Sequence, residues 1–182
     1  MRVISGKYKG KKLQGFNIDG TRPTQDRVKE NLFNMINDYI KDKVVLDLFA
    51  GSGNLGLEAL SREAKYTYFV DNNPKAINTI KKNIDNISID NCKVLKMDYK
   101  KALSYFKENN IKLDLIFLDP PYETSHIEQS LFLVDKYSLI STNGIVICES
   151  NDLNKIIYSE EYKVFKEKKY GDKYIVILKK MW

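Results

Sequence analysis

Residues 116–123 read IFLDPPYE, an apolar run broken by two adjacent prolines, with Asp119 before them and Tyr122 after. Proline lacks a backbone N–H and fixes φ, so no strand ladder continues past Pro120 and Pro121. The stop is rigid, and one carboxylate and one ring frame it. Such a group suits the exocyclic amine of a nucleobase, a poor nucleophile because its lone pair is delocalised into the ring. Two acceptors aimed at the two amine hydrogens would polarise it. Asp119 Oδ is one, and the Pro120 carbonyl, held by Pro121, is the other. Tyr122 offers a face on which the base stacks. Positioning then carries most of the catalysis. A proline-rich turn that simply ends a strand is the plain alternative for Pro-Pro by itself.

A second constellation lies upstream. In AGSGNLG, Gly51, Gly53 and Gly56 match G-x-G-x-x-G, and Asp71 follows at about the 20-residue spacing of a dinucleotide fingerprint. One residue opposes the usual ligand. Asp47, in the preceding run VVLDLF, stands where a pyrophosphate would lie and would repel it. The same carboxylate attracts an ammonium group. S-adenosylmethionine carries that group and a sulfonium but no phosphate. The glycines let backbone pass close beneath the ligand. Asp71 can accept from both ribose hydroxyls, and Asp98 from the adenine amine. Phe49, Ser52 and Asn72 complete the expected cofactor contacts. A tight strand-to-helix turn with no ligand is the alternative for the glycines, and no Gly-Lys-Ser/Thr follows to make a P-loop.

These residues need elements to position them. Continuous apolar runs predict strands over 44–49, 66–70, 92–97, 113–118 and 144–150. Between them, helical spacing predicts helices over 24–40, 55–62, 74–87, 99–109 and 125–137, with Pro74 opening the third. Thr24 is the expected N-cap of the first, which carries Val28, Leu32, Met35, Ile36 and Tyr39 on one side. Alternation of this kind predicts an α/β fold with a mostly parallel sheet between helices. The segment 162–180, turning at YGDK, reads as a closing antiparallel hairpin, and 2–16 as an N-terminal β-hairpin. Ligands in such sheets lie beyond the carboxyl ends of the strands. Asp47, Asp71, Asp98 and Asp119 all fall at such ends, which is hard to attribute to chance.

The 182 residues suit a single domain, expected as an N-terminal extension over 1–42 and a core over 43–182. No apolar run approaches the roughly 18 residues of a membrane span. One histidine, His126, argues against a His-based metal site or a Ser–His relay. Cys92 and Cys148 lack metal-like spacing and read as reduced cytosolic thiols, Cys148 in the core. Of the formal net charge of +6, residues 1–43 hold +5 (ten Lys/Arg, five acids) and the remainder +1. A polyanion contacting Lys7, Lys9, Lys11 and Lys12 is the functional reading, and a solvated lysine face the plain one. Tyr8, Phe16 and Tyr170 are candidates for stacking on RNA.

The blocks DLFAGSGNLGLEALSREA, LDPPY and RPTQDRVKENLFN resemble the RsmD family over essentially the whole chain. The resemblance implies a class I SAM-dependent methyltransferase fold of Rossmann-like type. It implies S-adenosylmethionine as donor and the N2 amine of guanine 966 in 16S rRNA as target. It assigns the cofactor to Asp47, Gly51, Gly53, Asp71 and Asp98, and catalysis to Asp119, Pro120, Pro121 and Tyr122. Arg22, Thr24 and Arg27 are expected over RNA or cofactor, helix capping being the other role for Thr24 and Asp26. The expected partner is small-subunit ribosomal RNA, naked or within an assembling 30S particle, met by a cytoplasmic monomer with no membrane association. Two departures from the family stand out: Glu63 where glycine is common, and Asn54 where a small residue is. A DNA adenine N6-methyltransferase shares LDPPY, but no segment is free to be a target-recognition domain. A non-catalytic nucleic-acid-binding module would have little use for that motif.

Overall fold

The computed structural model describes residues 1–15, 22–121 and 124–182, with the side chains of Arg22 to Gln25 also outside the description. Phe16, Tyr122 and the side chains of Arg22 and Thr24 therefore lie outside the described residues.

Seven strands form one sheet: β1 (Val44–Asp47), β2 (Tyr66–Asp71), β3 (Cys92–Lys96), β4 (Leu113–Leu118), β5 (Ile140–Ser150), β6 (Tyr162–Tyr170) and β7 (Lys173–Lys180). Their order is β3-β2-β1-β4-β5-β7-β6. The first five are parallel, and β7 pairs antiparallel with both β5 and β6. The closing hairpin thus adds two strands, with β6 outermost. Helices α1 (Arg22–Met35), α2 (Asn54–Ser61), α3 (Pro74–Ile87), α4 (Tyr99–Glu108) and α5 (His126–Lys136) supply the layers. A core on one face of the sheet joins Leu32, Phe33, Leu57 and Ile80 to Phe69, Phe117 and Ile177. The opposite face packs Leu103, Phe106, Leu131 and Val134 on Leu46, Val70, Ile116 and Leu178. Cys148 lies in that second core.

Two expectations change at the N-terminus. Helix α1 starts at Arg22, so Thr24 falls inside it and is not its N-cap. Pro23 explains the earlier start, since its fixed φ suits the first helical turn. Asp26, expected to favour the helix dipole, instead pairs with Arg2 at 3.3 Å. Among the described residues the N-terminal hairpin has one antiparallel bridge, Arg2 to Lys12, and Val3 N donates across it to Lys11 O (2.9 Å), Gly10 N to Val3 O (2.9 Å) and Leu13 N to Met1 O (3.0 Å). Ile4 N (2.8 Å) and Ser5 N (3.0 Å) donate instead to the carboxylate of Glu58 on α2.

Glu58 is a buried hub. Besides those two amides it receives Lys29 Nζ at 3.2 Å and Arg62 Nε at 3.0 Å. Lys29 is itself buried, and its Nζ also donates to Arg2 O (2.6 Å) and Asn54 Oδ1 (2.7 Å). Burial lowers the Lys29 ammonium, and Glu58 opposes that fall. Asn54, the unexpected residue of the glycine loop, thereby serves as an acceptor.

Glu63 ends the turn after α2 with φ of +69°. A side chain in that left-handed region costs about 1–2 kcal/mol, which accounts for a position that glycine suits. Its ion pair with Lys41 is two-thirds exposed on both sides and is worth at most about 1 kcal/mol. Glu63→Gly should stabilise the fold by roughly 0.5 kcal/mol, strain relief slightly exceeding the added unfolded-chain entropy of glycine. Urea unfolding reads this. A loss above about 1 kcal/mol would show that the exposed pair with Lys41 outweighs the strain.

Candidate active site

The parallel strands end on one rim, and the sheet register sets its residues side by side. Asp47 pairs with Phe69 on β2 and Phe117 on β4, and Leu118 pairs with Cys148. Asp119 therefore follows β4 directly, next to Glu149 of β5 and one strand from Asp47. Asp71 closes β2, and Asp98 caps α4 just beyond β3. Asn72 is exposed beside Asp71.

Between β1 and α2 runs the glycine loop. Gly53 N donates to Ala50 O at 2.7 Å, closing a tight turn. Gly51 lies at φ +55°, and the space where its Cβ would stand is open. That is a backbone cradle facing outward. Gly56 has the opposite reason to be glycine: a Cβ there would sit 2.3 Å from Phe69 Cε1. The carboxylates hold this loop. Asp71 Oδ2 accepts from Gly51 N (2.9 Å) and Oδ1 from Asn73 N (2.8 Å). Asp47 Oδ2 accepts from Gly56 N at 3.0 Å. Asp98 Oδ1 accepts from Lys100 N at 2.8 Å. Ser52 is buried, and its carbonyl accepts from Asn83 Nδ2 at 2.9 Å.

Burial pushes the Asp47 carboxyl up to about 7, with the Asp71 charge adding to the rise and the Gly56 N–H opposing it. Asp119 is also raised, first by desolvation among the surrounding protein atoms, then by Glu149. Lys173, which bridges to Glu149 at 2.6 Å, pulls the other way. The Asp119 residue is itself exposed to solvent. Leu32, Leu55, Phe117 and Ile175 wall that recess beside Asp119 and Glu149. Pro120 is buried and Pro121 exposed. Thr124 Oγ1 donates to the Pro121 carbonyl at 2.7 Å. Among the described residues none donates to the Pro120 carbonyl.

Three features escaped sequence reasoning. His126 opens α5 with its ring parallel to Phe49, centroids 5.7 Å apart, and tilted on Tyr99 at 4.7 Å. The three rings form an aromatic wall between Asp98 and the β1 end. Phe-Ala after Asp47 and Tyr99 after Asp98 carry no periodic signal that would pair them. Asn83 on α3 joins Gln14 to the loop: Gln14 N donates to its Oδ1 (2.8 Å), and its Nδ2 to Gln14 O (3.1 Å) and to Ser52 O. Glu58 is the third. Its charge on a mostly apolar helix was the visible signal.

The expected lysines of the N-terminal hairpin stand apart from the rim. Lys7, Lys9, Lys11 and Lys12 are exposed. Lys7 N donates to Ser61 O at 2.8 Å, at the far end of α2, roughly 12 Å below the glycine loop at the helical rise. Lys7 Nζ stands over the Tyr8 ring at 5.3 Å. Arg27 is exposed on α1.

A seven-stranded sheet of this order, with a glycine loop after β1 and an acid-proline stop after β4, defines a SAM-dependent methyltransferase. Comparison with known proteins agrees. The family described as Conserved hypothetical protein 95 matches residues 1–179. Ribosomal RNA small subunit methyltransferase D of Haemophilus influenzae is 37% identical over 175 residues, covering 94% of this chain and 89% of its own. The solved structure of yhhF from Escherichia coli superposes with a TM-score of 0.87 at 26% identity, over 100% of this chain and 98% of that one. SMU.776, solved complexed with SAH, shares the fold at 18% identity (TM-score 0.70, 90% of this chain and 51% of that one). The chain belongs to the RsmD family.

Proposed function

We propose that the protein transfers the methyl group of S-adenosylmethionine to the exocyclic N2 amine of a guanine in small-subunit ribosomal RNA. The observation that carries this reading is the recess at the end of β4, lined by Asp119, Glu149 and Leu55 of α2, beside a Pro120 carbonyl to which none of the described residues donates. The relative that is a ribosomal RNA small subunit methyltransferase supports the RNA as substrate.

The residues fit the cofactor. The Gly51 cradle admits a ligand close to backbone. Asp71 keeps lone pairs for the ribose hydroxyls beyond its two backbone bonds, and Asp98 keeps some for the adenine amine. Phe49, with Ser52 and Gly53 beneath and Asn72 at the side, bounds the same space. Asp47 offers its second oxygen to the ammonium. When bound, the sulfonium supplies an electrophilic methyl carbon. Asp119 Oδ and the Pro120 carbonyl accept the two N–H bonds of the guanine amine and orient its lone pair at that carbon. Pro121 fixes the carbonyl's direction, and Tyr122 is assigned to stack on the base. Water then takes up the proton left on the amine. Lys7, Lys9, Lys11, Lys12, Arg22, Thr24 and Arg27 are assigned to the RNA, in a single domain whose N-terminal extension is 1–42.

Calorimetry with S-adenosylmethionine and with NAD tests the cofactor. The first should bind without RNA and the second should not. A carboxyl raised to about 7 is protonated below that pH and charged above it. Affinity for the ammonium ligand should therefore rise with pH from about 5.5 to about 7.5, before a ligand amine of ordinary pKa near 8 deprotonates. Asp47→Asn should weaken binding and flatten this profile. NAD binding without S-adenosylmethionine binding would end the reading. Mass mapping of modified nucleosides in small-subunit RNA, from cells with and without the gene, tests the target.

A further inference from the structure

The even balance of charge beyond residue 43 conceals a second basic element. Residues 162–180 hold seven lysines against Glu167 and Asp172, a net +5. The register sorts them by face. Lys163 lies opposite Lys179, Lys166 opposite Ile177 and Lys168 opposite Ile175, and directly opposed residues share a face. Ile175 and Ile177 belong to the core that includes Leu32, Phe33 and Ile36 of the α1 side. Lys163, Lys166 and Lys168 therefore all face that side, and Glu167, opposite Val176, and Lys169, opposite Tyr174, face the other. All three lysines are exposed, and among the described residues none forms an ion pair. Phe165, at the bulge between Val164 and Lys166, is 39% exposed and leans edge-on against Tyr39 at 5.6 Å. Its ring, Lys163 and Lys179 line a shallow groove with Met181.

The stripe has a direction. β6 is parallel to β1–β5, so its last residues reach the catalytic rim. Tyr170 pairs there with Lys173, which bridges to Glu149 beside Asp119. From Lys163 to Tyr170 the strand covers roughly 20 Å at the usual rise.

Outer strands often carry lysine to discourage edge-to-edge pairing. That purpose requires charge on the edge but no concentration of it on one face, whereas the α1 side of β6 carries three lysines and no acid, and on the other side Glu167 offsets Lys169. The bulge already disrupts this edge.

We propose that the α1-side face of β6 (Lys163, Lys166, Lys168 and Phe165) is a second docking surface for the RNA substrate. It grips phosphates of the strand that flanks the target base, and Phe165 stacks on an unpaired base there. The proposal rests on the ribosomal RNA reading of the site. It adds a contact at the end of α1, where Lys166 Nζ lies 3.3 Å from Met35 O, to those assigned to the N-terminal lysines.

The test is a triple variant, Lys163→Gln, Lys166→Gln and Lys168→Gln, titrated with a fluorescent small-subunit RNA hairpin over a range of salt. The N-terminal variant with Lys7, Lys9, Lys11 and Lys12 changed to Gln runs alongside. Loss of three phosphate contacts should lower affinity about tenfold at low salt and make the log–log salt slope shallower by about 2. S-adenosylmethionine affinity and melting temperature should match wild type, which shows that the variant is folded. Lys→Arg at the same three positions should restore binding. Unchanged affinity and slope overturn the proposal, as does a variant that only aggregates or dimerises while binding RNA normally, the mark of edge protection. Wild-type methyl transfer to the RNA is measured in parallel. Transfer with an unaffected triple variant rejects the surface alone, whereas absence of wild-type transfer and RNA binding rejects the function with it.

Discussion

Replacing Asp119 by alanine should slow single-turnover methyl transfer by about 10²-fold or more, the scale of losing one positioned polar group in a transition state. The substitution removes one of two acceptors for the guanine amine and leaves the Pro120 carbonyl in place. Cofactor affinity should change little, because the glycine loop is held by Asp47 and Asp71, not by Asp119. Asp119→Asn keeps an acceptor oxygen and should be milder. The pH profile separates an electrostatic role from a merely structural one. Desolvation and Glu149 raise the Asp119 carboxyl, so the stronger, ionised acceptor accumulates as pH increases from mildly acidic to mildly alkaline. Wild-type single-turnover rates should climb over that range, and Asp119→Asn should be flat. Normal turnover by Asp119→Ala would refute polarisation of the amine by this pair.

The largest stability effect is expected at Glu58. Alanine there strips the counter-charge from Lys29 and Arg62, whose side chains are 3% and 9% exposed. It also strands the Ile4 and Ser5 amides. Breaking a buried ion pair by removing one partner costs about 3–5 kcal/mol. In a chain of this size that corresponds to a fall of roughly 10 °C or more in melting temperature. Glu58→Gln keeps one acceptor and should lose less. Loss of the hub should also release the N-terminal arm, so limited proteolysis should cut within residues 1–15 of the alanine variant before the core. A loss below about 1 kcal/mol would mean that water replaces the carboxylate without penalty.

Legibility in the sequence followed the range of the interactions. Helix α3 is bounded as its periodicity predicts, because Pro74 and an amphipathic repeat are local signals. Each of the four rim acids is found at the end of its strand, since continuous apolar runs mark parallel strands and the acid simply follows. Thr24 misled because Pro23, compatible with a first helical turn, extended α1 backwards. The N-terminal hairpin closes with Val3, Gly10 and Leu13 N donating across it, but the Ile4 and Ser5 amides go to Glu58, 54 positions from Ile4, a partner no local spacing shows. The wall of Phe49, Tyr99 and His126 comes from the loop after β1 and the first residues of α4 and α5, and no spacing rule links them. The lysine face of β6 was hidden by averaging. Net charge over a long segment conceals a short strand with three of its four lysines on one face, and the bulge at Phe165 shifts the alternation that would have shown it.

The strand order also fixes a sequence of events at the ribosome. Because β1 is flanked by β2 and β4, Val45 must wait for Leu115 before its second edge is covered. Asp47, the glycine loop, Asp71 and Asp98 have all been synthesised before β4 begins. At roughly 5–20 residues per second of synthesis, Asp119 trails Asp71 by about 2–10 s. The cofactor half of the rim is made first, and the catalytic half exists only once β4 slots between two strands made on either side of it in time. On that order of synthesis, the β1 edge that pairs with Leu115 has no partner strand until β4 is made, seconds after β2.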